Sequence, residues 1–281
     1  MNLRKALGVA AVLAFALGPS ALAAPHDPKG EFKPFGYCPL ELKTVTECIY
    51  SASTGGSITI GKKTVPIKDP VIFQGGSGEV GEGVKFFGAE GVETLLETPQ
   101  SVPSGLLGIT PPSWWPDSFQ EWFNEQINDG ATDVTATLEL AAPPTSITLS
   151  TQNLVNQEGT ALGLPVKIKL DNPLLGSNCY LGSDAKPIQI DFTTGKSGAA
   201  KGSPGVVNFN KELTRVIIND GRLANGTFVA PSVEGCGGIY SSYIDPLVNS
   251  VLGLPSASGE NTAILEGKLQ SANAAAVRKS E

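Results

Sequence analysis

The sequence predicts a mainly β protein: an antiparallel β-sandwich with short helical insertions and two disulfides. Three observations predict it. The 33 glycines and 21 prolines fall between short segments of alternating or β-branched character, which is how an antiparallel β chain is punctuated. Several of those segments have one apolar face, and two facing sheets can bury such faces against each other. The four cysteines form an even set, as expected of a stapled exported domain.

The chain opens on an export signal. Asn2-Leu3-Arg4-Lys5 is basic, Ala6 to Leu17 is apolar and uncharged, Gly18-Pro19 breaks a helix, and Ala21-Leu22-Ala23 places small residues where a signal peptidase reads. The apolar run is too short to span a bilayer, so residues 1–23 read as a signal peptide cleaved between Ala23 and Ala24. The lack of a twin arginine favours the general secretory route. No cysteine follows the run for lipidation, and Arg278-Lys279-Ser280-Glu281 offers no hydrophobic tail. The expected product is secreted and extracellular, without a transmembrane anchor. It keeps 18 basic against 27 acidic residues, a net charge of −9, which argues against nucleic acid and against simple adhesion to anionic lipid.

Residues 24–281 read as a single sandwich domain. Ser57 to Ile60 alternates, Gly61-Lys62-Lys63 turns, and Thr64 to Ile67 resumes, predicting a hairpin. Val71 to Phe73 predicts a strand, followed by a glycine-rich turn from Gly75 to Gly83. Thr132 to Leu140 places Val134, Ala136, Leu138 and Leu140 on one face, a half-buried strand. Ser146 to Ser150, Leu164 to Leu170, Ile188 to Phe192, Val206 to Phe209 and Arg215 to Ile218 continue the series. Asn219-Asp220-Gly221 then signals a turn, and Thr227 to Val229 a returning strand. Pro116, Asp117 and the stripe Phe119, Trp122, Phe123, Ile127, stopped by Gly130, predict a helical insertion over about 116–129. Asp245 as N-cap, Pro246, the apolar Leu247, Val248, Val251 and Leu252, and the stop Gly253 predict a short helix over about 246–252. Gln270 to Arg278 is alanine-rich and reads equally as helix or frayed tail.

Cys38, Cys48, Cys179 and Cys236 allow three pairings. Proximity in sequence favours Cys38 with Cys48, leaving Cys179 to Cys236. A zinc site would need closer ligand spacing, so neither metal nor cofactor is expected.

Phe35-Gly36-Tyr37-Cys38-Pro39, Val102 to Ile109, Leu170-Asp171-Asn172-Pro173-Leu174-Leu175-Gly176-Ser177-Asn178-Cys179-Tyr180 and Ala230-Pro231 with Gly235-Cys236-Gly237-Gly238 resemble a functionally uncharacterised family of exported proteins from actinobacteria, the high-GC Gram-positive bacteria. The resemblance spans nearly the whole mature chain. Its motifs are turns, cysteines and glycines, so it implies compartment and source and no activity.

Catalytic constellations are sparse. His26 is the one histidine; it lies almost at the mature N-terminus, where a solvated tail is expected, so Ser-His-Asp and Cys-His mechanisms lack a base. Pro25 lacks the amide proton that an N-terminal copper or nickel chelate would need. Ser183-Asp184-Ala185-Lys186 has serine-lysine spacing, but Gly182 and Pro187 give it turn surroundings rather than a helix start. Gly75-Gly76-Ser77-Gly78 has no following P-loop lysine. Asp117, Glu121 and Glu125 near the tryptophans are the residual candidates for a carboxylate-dependent glycan hydrolase.

The most informative candidate binding site is aromatic: Trp114, Trp115, Phe119, Trp122 and Phe123. They either cap an open end of the sandwich or form a lid or patch for an apolar ligand, a glycan or another cell-envelope component. The leading expectation is a non-enzymatic extracellular or cell-envelope protein that binds a partner or apolar ligand. A glycan hydrolase and a structural surface protein are the alternatives.

Overall fold

The computed structural model describes residues 24–81, 83–103, 111–128, 133–212 and 214–281. Residues 1–23, read from the sequence as a signal peptide, residues 104–109 of the second resemblance motif, the helix stop Gly130 and Thr132 lie outside the described residues, as does the side chain of Ile127. The first half of the chain builds β1 (Glu47–Ile60), β2 (Lys63–Pro66), β3 (Val71–Val80), β4 (Gly83–Gly88), β5 (Gln100–Ser101), α1 (Asp117–Asn128), β6 (Thr135–Leu140) and β7 (Thr148–Leu149). Next come α2 (Thr151–Asn156), β8 (Leu162–Asp171), β9 (Tyr180–Leu181), β10 (Ile188–Phe192), β11 (Lys196–Ser197) and β12 (Ala200–Lys201). The last part comprises β13 (Val206–Asn210), β14 (Arg215–Asn225), β15 (Val233–Glu234), α3 (Ser241–Leu252), β16 (Thr262–Asn273) and α4 (Ala274–Lys279).

Strand outweighs helix, 41% to 19%, and the two main sheets are antiparallel. One runs β13-β14-β16-β1-β3-β4, with β2 folded onto the end of β1; the other runs β15-β9-β8-β6-β5, with β10 and β7 pairing the first half of β8. The sheets face each other across one core. Ile49, Phe73, Phe86 and Leu265 come from the first, Leu138, Leu164, Ile168 and Ile190 from the second, and α3 adds Ile244 and Val248 at the side. This is the sandwich expected from alternating apolar faces.

The hairpin at Gly61, β8, β10 and β13 lie where the pattern predicts them. The preferred cysteine pairing is also the one that forms, Cys38–Cys48 and Cys179–Cys236.

Other expectations are corrected. Gly75 to Gly83 is not a turn: β3 runs through it to Val80, and β4 starts at Gly83. The glycines serve close packing. A Cβ on Gly78 would lie 1.8 Å from the Thr44 carbonyl oxygen, and Gly75, at φ +150°, would place one 2.4 Å from that of Phe87. Asn219-Asp220-Gly221 does not end its strand either. It forms a bulge, with Asp220 at φ 55° and the register against β16 shifting between Ile218 and Gly221, so β14 continues to Asn225. There the Asn225 side chain accepts from the amides of Thr227 (2.8 Å) and Phe228 (3.0 Å). This turn stops the strand and leaves Thr227 to Val229 irregular.

Asp245 is not an N-cap. Helix α3 begins at Ser241 and holds Pro246 within it, while the Asp245 carboxylate accepts from the amides of Gly235 (3.2 Å) and Cys236 (2.7 Å), tying the helix to the disulfide loop. Gly253 ends the helix at φ 72°, as expected. Ser146 to Ser150 holds only the short β7, because the turn Pro144–Ser146 precedes it and the Ser150 hydroxyl caps α2 by accepting from the Asn153 amide. In Gln270 to Arg278, the first four residues complete β16; the helix starts at Ala274, capped by the Asn273 side chain.

His26 is not on a loose end. It is 9% exposed; Nδ1 lies 2.8 Å from a Glu281 carboxylate oxygen and Nε2 3.2 Å from one of Glu90. The Lys29 amide donates to the Ser280 carbonyl (3.0 Å), and the Arg278 guanidinium donates to the Leu40 carbonyl (2.7 and 2.9 Å). Beneath this clasp, Phe32, Phe35, Val45, Ala274, Val277 and the Cys38–Cys48 bridge form a second apolar cluster. Burying that cluster draws residues 26–35 and 274–281 together, and the histidine closes the seam.

Candidate functional site

Pro112 to Phe123 folds as the aromatic stripe predicts. The Trp115 amide donates to the Pro112 carbonyl (3.0 Å), and α1 then places Phe119 and Phe123 on one face, four residues apart. Trp115 lies between them, its ring centre 4.7 Å from that of Phe119 and 5.4 Å from that of Phe123. Trp122 stacks on Phe119 at 5.2 Å. Tyr240 and Tyr243, from the start of α3, complete the cluster at 4.7 and 5.5 Å from Phe119.

The five residues singled out from the sequence are thus brought together but not equally presented. Trp115, Phe119 and Phe123 are core, Trp122 is half-buried, and Trp114 is 64% exposed, tilted against Tyr243. Most of the aromatic area therefore caps the sandwich, and Trp114, Tyr240 and the 90% exposed Ile239 form its outer rim. The two segments that build the rim carry no lysine or arginine from Pro111 to Asn128 or from Gly235 to Gly253. Glu121 and Glu125 are exposed, on the side of α1 away from the apolar stripe. The Trp115 indole Nε1–H is buried with no hydrogen-bond partner among the described residues.

A second feature lies at the other end of α3. Tyr243 is in its first turn and Leu252 is its last residue, so at 1.5 Å per residue the two are about 13 Å apart along the axis. Leu252 lines a cavity between the sheets, with Ile58, Ile60, Val65 and Ile67 on one side and Ala136, Leu138, Ile168, Leu170 and Leu181 on the other. Leu96 and Val102 also line it. None of the five aromatic residues does.

The cavity is partly open to solvent past the half-exposed Ile58, Ile60 and Val65 and the 38% exposed Leu96, and holds about 70 Å³. That is several times what one water needs, and about half of the ~150 Å³ that admits benzene in an engineered apolar void. Its polar lining is Lys63, Thr98 and Gln100. Gln100 has little to offer a ligand: its carbonyl oxygen accepts from the amides of Lys68 and Asp69 (2.9 and 3.1 Å), and its NH₂ donates to the carbonyls of Asp69 and Thr98 (2.9 and 3.4 Å). Such a mainly apolar lining suits the end of a hydrocarbon chain better than a polar group. Next to it in sequence, Glu97 has its carboxyl pushed up, first by burial and then by the charges of Glu139 and Glu93. On the outer face of the second sheet, the hydrogen bond to Asp184 holds the Lys167 ammonium above its ordinary range.

The lining alternates along strands whose apolar faces are legible in sequence. That these faces leave a void where they meet has no sequence signal. Tyr240 and Tyr243 were missed because they lie over 100 residues beyond the tryptophans they touch. Among the described residues no group of three or more His, Cys, Asp or Glu side chains is arranged to hold a metal ion, and no helix is long and apolar enough to cross a membrane. The two disulfides point to an oxidising compartment. No protein family, curated protein or solved structure matches the chain.

Proposed function

We propose that this is an exported extracellular or cell-envelope protein, released after cleavage between Ala23 and Ala24, that acts by binding and holds the aliphatic end of an apolar ligand between its sheets. The carrying observation is the void of about 70 Å³ lined on both sheets by Ile, Leu, Val and Ala. Apolar side chains that face each other across a partly open cleft gain by being covered, and the aliphatic end of a ligand would cover them. The disulfides support the export reading, and the basic, apolar and small-residue pattern of residues 1–23 supports a signal peptide. The resemblance to exported actinobacterial proteins supports the same compartment and suggests the source.

A test is titration of the mature protein with a fluorescent polyene fatty acid. Saturable binding abolished by Ala136→Leu, which fills the void, supports the reading; binding untouched by that change overturns it. Trp114, at 64% exposed, favours a second reading, in which the aromatic rim contacts a partner. The rim residues Trp114, Ile239 and Tyr240 are uncharged, so an apolar partner surface is the better match. Trp114→Ala that leaves envelope association unchanged would remove it.

A further inference from the structure

Strand β13 ends the first sheet. All five of its residues are exposed, with Val206, Val207 and Phe209 at 59, 43 and 58%. Sheets blunt such an edge with a charge, a proline, a bulge or a cover. Val206–Asn210 contains none of the first three, and among the described residues no strand pairs with its outer side. The opposite edge is managed differently: β4 carries Lys85, and its Gly88 packs against Pro144. Val207 and Phe209 also line an open apolar groove of about 440 Å³, together with Val216 and Leu269 of the sheet and Leu154 and Val155 of α2.

We infer that β13 pairs antiparallel with β13 of a second copy of this chain, about a two-fold axis through Asn208. The strand is complementary to its own reverse. In this register Val207 meets the second copy's Phe209, and Phe209 meets its Val207, on the face that lines the groove. Val206 meets Asn210, and Lys211 meets Gly205, so no like charges oppose each other despite the net −9. Moving the axis to Val207 sets Phe209 against Gly205; moving it to Phe209 sets Val207 against Lys211. Only the Asn208 register matches every exposed apolar side chain on the groove face with another. The same operator joins the two grooves into one channel and satisfies both open edges, as an isologous interface requires.

The test is sedimentation velocity on the mature protein at concentrations up to about 100 µM. A dimer is expected, with a dissociation constant raised at least ~10-fold by combined Val207→Lys and Phe209→Lys, while circular dichroism and the melting temperature stay near wild type. Asn208→Cys adds the one thiol outside the two disulfides and should oxidise to a covalent dimer far faster than Glu121→Cys. A wild-type monomer at that concentration, a dimer indifferent to the lysines, or equal crosslinking of the two cysteines overturns the inference. So does a monomer that takes up a foreign extended peptide on β13. The ligand reading is independent, since polyene binding can be measured on the lysine variant.

Discussion

Ala136→Leu tests the void by filling it. Residue 136 is half-buried on β6, opposite Leu170 of β8, and lines the cavity. Three added carbons at about 0.8 kcal/mol each contribute at most roughly 2.4 kcal/mol, less whatever stays in contact with water at the open side of the cleft. Imperfect rotamer fit returns at least about 1 kcal/mol. The expected net is a stabilisation of about 1 kcal/mol, or ~2–4 °C in melting temperature for a chain of this size. Thermal denaturation followed by far-UV circular dichroism reads it directly, with polyene titration in parallel. A melting temperature lowered by several degrees would mean that the space is already filled by relaxation of the sheets, and the packing argument would fail.

Other consequences follow from the same contacts. Replacing Cys179 and Cys236 together by serine should cost about 4 kcal/mol, and Cys38 with Cys48 about 3, because the bridges close loops with separations of 57 and 10 residues; urea melts of the two double variants would rank them. His26→Ala should cost about 1 kcal/mol, because the half-exposed carboxylates of Glu90 and Glu281 keep water as an alternative partner. Its loss should speed hydrogen exchange at the Lys29 amide, which bonds Ser280, while leaving β8 and β10 protected; uniform acceleration would refute a local clasp.

Glu97→Gln addresses the acid whose folded pKa is raised by burial. The fold favours the protonated form, so the group's contribution is best at low pH and is lost as pH rises through its titration. The variant should therefore gain a few tenths of a kcal/mol at neutral pH and nothing near pH 3, a small effect because the side chain is largely solvated. Equal stabilities of variant and wild type at both pH values would contradict it. Gly78→Ala should destabilise strongly, since its Cβ meets backbone at 1.8 Å; a near-native melt would show that the approach of Thr44 is not essential.

Legibility followed locality. The hairpin at Gly61, the Gly253 stop of α3 and strands with clean alternation, such as β10, were visible because a few adjacent residues determine them. Strand β16 was not: Glu266 and Lys268 interrupt its apolar run, and its place between β1 and β14 depends in part on pairing with β1, over 200 positions upstream. The glycine run of β3 looked like a turn, since nothing in sequence shows that Thr44 would pack against it. His26 looked loose because its two partners stand 64 and 255 residues away. The aromatic cluster was legible as a cluster, but its division into core and rim was set by Tyr240 and Tyr243. The void is the least legible feature, being space left between well-patterned faces.

The central claim is an aliphatic ligand held between the sheets, and native mass spectrometry of the protein as released by its own host tests it most directly. The account predicts a mass for residues 24–281 lacking four hydrogens for the two disulfides, plus a bound apolar molecule that is lost on solvent extraction and missing from Ala136→Leu. A wild-type spectrum holding only bare protein, from a preparation that also fails to bind the polyene, would contradict it.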